Sequence, residues 1–456
     1  MLPEYMPFPF AFALAGLVVA AEVLLCEKRF HIKKLLVFAI IAFIGALTSS
    51  YLSASLDREE LLPNRIEGEF TVTERRNWGS TQLLRLRGSD KKSWITYAED
   101  SLSEATEGDI ISMRAAVKEI NATAARSTFS PLLFWKARGV SGELKNARGV
   151  IYLPKRLSLH SFRQSLRERI ATLPPACAAL TAAVLLGDRD EELALDFRRW
   201  GISHILAVSG WHIALAFALG CVLFGTNIRG LIGCSLLMWA YCLTSGAALS
   251  AVRAAIMLQT GIIGRCIERR SPALNSIGLA GIIMLCADPW ALFDVGWQLS
   301  VTAAAVMSCT HVFERLSAVL MPPSVWFITS PMIAPMAGGI SFSALPINFI
   351  ATAFFTFILE FVLLSAMPSI LGFSAYAVAL PAEYLLKSWA FIADQWVELL
   401  PYGLPSGTFP AWLCVGAMFV LVARACRASA TRCAMSGALG TCTVLLYMTL
   451  REANFA

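Results

Sequence analysis

Residues Ile202–Phe224 read ISHILAVSGWHIALAFALGCVLF. About 20 consecutive, mostly apolar residues suffice for a helix to cross the hydrocarbon core of a bilayer. Only Ser203, His204, Ser209 and His212 interrupt this one. The same character continues on either side. The 456-residue chain is 57% hydrophobic and 15% charged, with a mean hydropathy of +0.62, whereas ordinary globular domains are about 25% charged. That surplus of apolar residues excludes a water-soluble enzyme, since it must face lipid. An aromatic content of 11% excludes a disordered chain. The net charge of +6 is too small by itself to announce a nucleic-acid partner.

Further candidate spans are Leu231–Thr244, Ala251–Cys266, Ala273–Cys286, Val295–Val312, Val325–Phe342, Ile347–Met367, Tyr376–Val397, Ala411–Ala425 and Ala434–Tyr447. The span Val325–Phe342 carries Pro331, Pro335, Gly338 and Gly339 and is open to being broken. Ala176–Gly187 is too short to cross and reads as re-entrant or half-buried. At the N-terminus Phe10–Cys26 and Leu35–Leu52 form an expected membrane hairpin within 1–55. No cation precedes the first run, so it reads as a retained span rather than a signal peptide. Lys28, Arg29, Lys33 and Lys34 place the hairpin's loop inside, as Arg229, Arg265, Arg269, Arg270, Arg315 and Arg424 do for later loops. The fold class is therefore a polytopic α-helical membrane protein of about 10–12 spans, with a helical membrane domain over 174–456.

Between residues 56 and 157 the composition changes: charges are frequent and cysteine vanishes. Period-two alternation in Gly68–Thr73, Thr81–Arg87, Ser93–Tyr97 and Asp109–Val117, with a closing strand at Gly139–Leu144, predicts an inserted OB-like β-barrel outside the membrane. Arg75, Arg76, Trp78, Arg85, Arg87 and Trp94 are its basic and aromatic candidates for single-stranded DNA. The other reading is a structural barrel with tryptophans in its core. Residues 158–173 (SLHSFRQSLRERIATL) form an amphipathic helix. It either lies in the membrane interface with its arginines toward headgroups, or connects the domains and packs on the barrel.

Ionisable and polar residues inside spans face protein or water rather than lipid. Four groups stand out. His204, Val208 and His212 share one helical face, with Ser209 and Gly210 beside them. They form a polar pathway lining, a helix–helix seam or, with Ser209 and His212, an intramembrane hydrolase pair. Arg253 needs an anionic partner: Asp294 or a phosphate in transit. Asp294, Gln298 and Thr302 line one helix stripe, unless Asp294 is simply the helix cap. Asn348, Thr352, Thr356 and Glu360 repeat at four-residue steps, giving either a wet lumen or a polar seam. The twelve cysteines lack CxxC spacing and the five histidines lack HxH or HExxH, so no metal or cofactor is expected.

The ordered segments HILAVSGWHIA (204–214), LSAVRAAIM (249–257) and DPWALFDVGWQLS (288–300), preceded by LLGDRDEELALDFRRWGISH, resemble the ComEC competence-protein family. Trp211 stands where the family usually has Leu. The resemblance implies an inner-membrane channel of natural transformation that passes single-stranded DNA into the cytoplasm. Many family members carry a C-terminal metallo-β-lactamase-like domain, which the five histidines here do not supply. With no HxHxDH nuclease motif and no GxxxxGK[ST] motif the chain is expected not to be an enzyme, and a separate nuclease, a DNA receptor and a cytoplasmic motor are its expected partners. Self-association into a homo-oligomer stays open. A secondary transporter or flippase with a midplane site at Asp294, Arg253 and the Asn348–Glu360 stripe is the alternative.

Overall fold

The computed structural model describes residues 62–78, 81–98, 102–120, 131–152, 158–188, 190–269, 273–337, 339–399 and 403–405, with scattered residues between 414 and 441. The expected N-terminal hairpin and most of the last two expected spans lie outside the described residues.

Five strands form a closed barrel: β1 (Arg65–Trp78), β2 (Thr81–Gly88), β3 (Ser93–Tyr97), β4 (Ile110–Lys118) and β5 (Val140–Tyr152), in the order β1-β2-β3-β5-β4. Only the β3–β5 pair is parallel. This is the strand order of an OB barrel, as the alternation predicts. Phe70, Val72, Leu84, Leu86, Trp94, Ile111, Met113 and Leu144 point inward and form its core. Gly149 is required where β5 crosses β4, because a Cβ there would lie 2.8 Å from the Ser112 carbonyl oxygen. Two strands are longer than their alternation suggests. The β1 register shifts between Val72 and Glu74, and the β4–β5 register shifts near Arg114. A bulge inserts one residue and flips the inward set, so a strict period-two pattern stops there.

A short helix, α1 (Pro131–Lys136), precedes β5 and covers the outer face of the barrel, where Trp135 packs on Leu83, Ile95 and Val140. Then come α2 (Leu159–Ile170), α3 (Pro175–Leu186), α4 (Glu191–Arg199), α5 (Gly210–Phe224), α6 (Ile228–Thr244), α7 (Leu249–Cys266), α8 (Ala273–Ala287), α9 (Val295–Thr310), α10 (Ser317–Ala337), α11 (Ala344–Ile370) and α12 (Tyr376–Leu399). The expected span Val325–Phe342 is broken near its end, where a short strand, Gly339–Ser341, follows the helix, rather than at its prolines. The helix begins earlier, at Ser317, and stops at Ala337. Among the described residues two helical stretches, Ser203–Phe224 and Ala344–Ile370, are long and apolar enough to cross a membrane, and four shorter helices are apolar.

The described chain forms two compact units. One joins Gln298–Ile340 to the described residues after Leu404; the other joins Leu62–Trp297 to Ser341–Gly403 and holds the barrel. In the larger unit α3 is the centre of the helical core. Its Cys177, Leu180, Ala183 and Val184 pack with Ile347, Ala351 and Phe355 of α11 and Ala379, Ala382 and Trp389 of α12. The short apolar run is therefore a buried core helix.

Candidate functional site

The helical face expected for His204 and His212 is broken. Ser203–Ile205 is a single 3-10 turn, and Ser209 is extended before α5 begins. His204 is exposed, while His212 is buried. Ser209 caps α5: its backbone N–H donates to His212 Nδ1 at 3.0 Å, and its hydroxyl lies 3.1 Å from the same nitrogen. A ring nitrogen that accepts a backbone N–H carries no proton, so the imidazole holds its proton on Nε2. The pair closes a helix start, and Gly210 lets that start approach Ala254 of α7, whose Cβ would be 3.3 Å from an added Cβ.

Arg253 is buried in α7, with Nη1 2.9 Å from the sulfur of Met257. Asp294 does not serve it as expected. Asp294 lies 2.8 Å from Arg138 Nη2 instead and accepts the Trp297 N–H at 2.8 Å as the cap of α9. Arg138 follows α1, so the barrel's own helix reaches the third motif, with Lys136 5.3 Å above the Trp290 ring and Arg138 3.7 Å from the Phe134 ring centre. Gln298, a turn further along α9, is half-buried. The four-residue stripe on α11 largely satisfies itself: Thr352 and Thr356 each donate to the carbonyl four residues back at 2.7 Å. Asn348 donates to the Gly201 carbonyl at 3.2 Å, and Glu360 is half-buried.

On the barrel, the DNA candidates separate into four kinds. Trp94 is 1% exposed in the barrel core, which removes it as a stacking platform. Arg75 turns its guanidinium to Gln82 and to the Ala105 and Ser103 carbonyls. Arg76, Arg85 and Arg87 share the outward face of β1–β2, opposite Leu83, Glu74 and Thr71 respectively. Trp78 lies in β1, and only its backbone is described. Glu74 is 2.5 Å from Arg76 and 3.7 Å from Arg85. Burial pushes the Glu74 carboxyl up, but Arg76, Arg85, Arg163 and Arg138 together hold it below the usual carboxylate range.

Sequence reading missed a second cluster. Two arginines of α2 meet carboxylates. Arg163 Nε reaches Glu107 at 3.1 Å, Arg167 reaches Glu107 at 3.2 Å, and Arg167 also grips both oxygens of Asp188, at 2.6 and 3.0 Å. Arg163 donates to the Thr244 carbonyl at 2.6 Å, joining barrel, α2 and the α6–α7 turn. The apolar Leu159 and Phe162 of α2 are exposed. Burial raises the Asp188 carboxyl, partly offset by Arg167. Glu383 was also missed. It is buried in α12, accepts the Cys177 N–H at 2.9 Å and lies 3.2 Å from Lys387. A carboxylate in the middle of an apolar run was the signal that would have found it.

A family model described as Competence protein matches residues 184–431, more than half of the chain. The chain belongs to the competence-protein family. It is similar to ComE operon protein 3 of Bacillus subtilis (strain 168), 25% identical over 256 residues that make up 52% of this chain and 32% of that relative. The match thus spans about a third of the relative's length. No solved structure matches. The competence segment contains Ser209, His212, Arg253, Asp294 and the α11 stripe, together with Asp188 and Glu383. The barrel precedes it, so the Arg138–Asp294 and Arg167–Asp188 contacts tie residues outside the family match to residues within it.

Proposed function

We propose that this chain is a multi-pass inner-membrane component that passes single-stranded DNA into the cytoplasm during natural transformation, with its N-terminus and barrel on the outer side. The observation that carries this reading is the competence-family match over 184–431. The physical demand is a charge-tolerant route, since every phosphate is charged and lipid rejects it. The helical domain is read as the membrane domain, spanning about ten times from residue 174 onward. Ser209 and His212 are read as a helix cap rather than a hydrolytic pair, because the Ser209 backbone N–H already occupies the imidazole nitrogen that a serine nucleophile would need. A nuclease, a receptor and a motor are the chain's proposed partners. The test is deletion of the gene in a transformable host. DNA is still captured at the cell surface but does not enter; undiminished transformation overturns the reading.

The transporter alternative loses its midplane pair, because Asp294 is committed to Arg138. Glu360 remains as its candidate. Solute flux in DNA-free proteoliposomes that is lost on Glu360→Ala is the result that would restore it.

A further inference from the structure

The outward face of β1–β2 gathers Arg76, Arg85 and Arg87 along one line, because residues at alternate positions of a strand share a face and the Val72–Glu74 bulge brings Glu74 opposite Arg85. Arg138 extends that line toward α9. Its carbonyl accepts from Arg85 Nη2 and its guanidinium reaches Asp294. Arg76 and Arg85 share the Glu74 carboxylate and Arg138 meets Asp294, so with Arg87 on the same face four guanidiniums stand against two carboxylates, a local excess of two positive charges. The side chains are not sealed: Arg76, Glu74, Arg85 and Arg138 are 27–30% exposed, and Arg87 is exposed. Among the described residues Arg85 Nε is a buried donor without a hydrogen-bond partner.

A structural barrel face has no need of this excess. Neighbouring guanidiniums repel one another, and one carboxylate between Arg76 and Arg85 offsets only part of that. An anion whose charges repeat along a chain removes the repulsion at several points at once. Guanidinium forks match phosphate oxygens, and phosphate contacts hold a strand in register without reading its sequence.

We propose that Arg76, Arg85, Arg87 and Arg138 form a phosphodiester-binding seam on the barrel that leads a single-stranded nucleic acid along the outer face of β1–β2 to the third competence motif at Asp294. Glu74 occupies the seam when no strand is present and competes with phosphate for Arg76 and Arg85. The seam rests on the import reading above and gives it a receiving site.

The test is fluorescence anisotropy of the full-length protein in a neutral detergent, which offers no anionic headgroup, with a labelled oligothymidylate at several salt concentrations. Each phosphate contact on a single strand contributes about 0.7 to the slope of log affinity against log salt. Arg87→Gln, an exposed change, lowers the slope by about that amount, and Arg76→Gln does the same. Glu74→Gln removes the competitor and tightens binding several-fold, which a merely structural role for these side chains would not produce. Affinity and slope unchanged in all three variants overturn the seam and leave the import reading standing. Absence of binding by the parent protein overturns both.

Discussion

Asp294 makes two bonds that a sequence shows as one residue. One oxygen caps α9 at Trp297 and the other meets Arg138. Breaking a buried ion pair by removing one partner costs about 3–5 kcal/mol. Arg138 keeps the Phe134 carbonyl and ring, so Asp294→Ala should cost about 3 kcal/mol for the pair, at the low end of that range. The lost cap adds about 1 kcal/mol. Asp294→Asn retains a capping oxygen and should be about 1 kcal/mol less damaging. Thermal unfolding of the two variants in detergent measures the difference, and equal midpoints would mean the cap contributes nothing. His160 offers a pH test. Burial against the barrel lowers its pKa, Arg163 and Arg87 act the same way, and Glu107 and the Thr73 backbone oppose them. The unfolded imidazole takes up its proton near its ordinary value of about 6.5, before the folded one does. Stability is therefore intact above that pH and falls as pH drops toward the lower folded value. His160→Asn should flatten the loss of thermal midpoint between pH 6.5 and 5; an unchanged slope would assign the acid sensitivity elsewhere.

At the scale of elements, legibility followed local pattern. β3 is read at its observed bounds, Ser93–Tyr97, because it is short and has no bulge within its alternation against β2. The strands β1 and β5 are read short because their bulges break the alternation. The ion partners of α2 are not legible for a different reason: the acids that meet Arg163 and Arg167 lie 56 and 21 residues away, beyond any helical window. Asn348, Thr352 and Thr356 looked like a stripe, but in a helix a threonine hydroxyl can bond to the preceding turn, so spacing alone does not mark a lumen. Gly187 shows how α3 is joined to the α6–α7 turn. It ends α3 at φ +72, and an added Cβ would collide with the Ser245 carbonyl oxygen, beside the turn that Arg163 also holds. A left-handed non-glycine residue costs about 1–2 kcal/mol, and the collision with backbone adds to it. Gly187→Ala should therefore destabilise by about 2 kcal/mol or more and free the α6–α7 turn to proteolysis. An unaltered digestion pattern would show that the α3 end and that turn are not coupled.

For the whole molecule, composition and hydropathy reach the class, a mostly helical protein carrying one five-stranded barrel, because lipid and water impose different compositions along the entire chain. They do not reach the join between barrel and helices, which depends on Arg138, Arg163 and Arg167 meeting Asp294, Glu107 and Asp188 at long range. In the topology proposed above, the side of the membrane on which that join sits is read from charge. Arg265 and Arg269 end α7 in an exposed segment, and basic segments of this kind are retained in the cytoplasm. The barrel's Lys91 and Lys92 form an exposed hairpin turn. With the barrel outside, trypsin added to spheroplasts cuts at Lys91–Lys92 and spares Arg265–Arg269, whereas inverted vesicles give the opposite pattern. The two sites together make the test internal, since each is the control for the other. Cleavage of the hairpin from the inverted side alone would put the barrel in the cytoplasm. An arginine face there would meet DNA only after it had crossed, as an exit rather than a receiving surface.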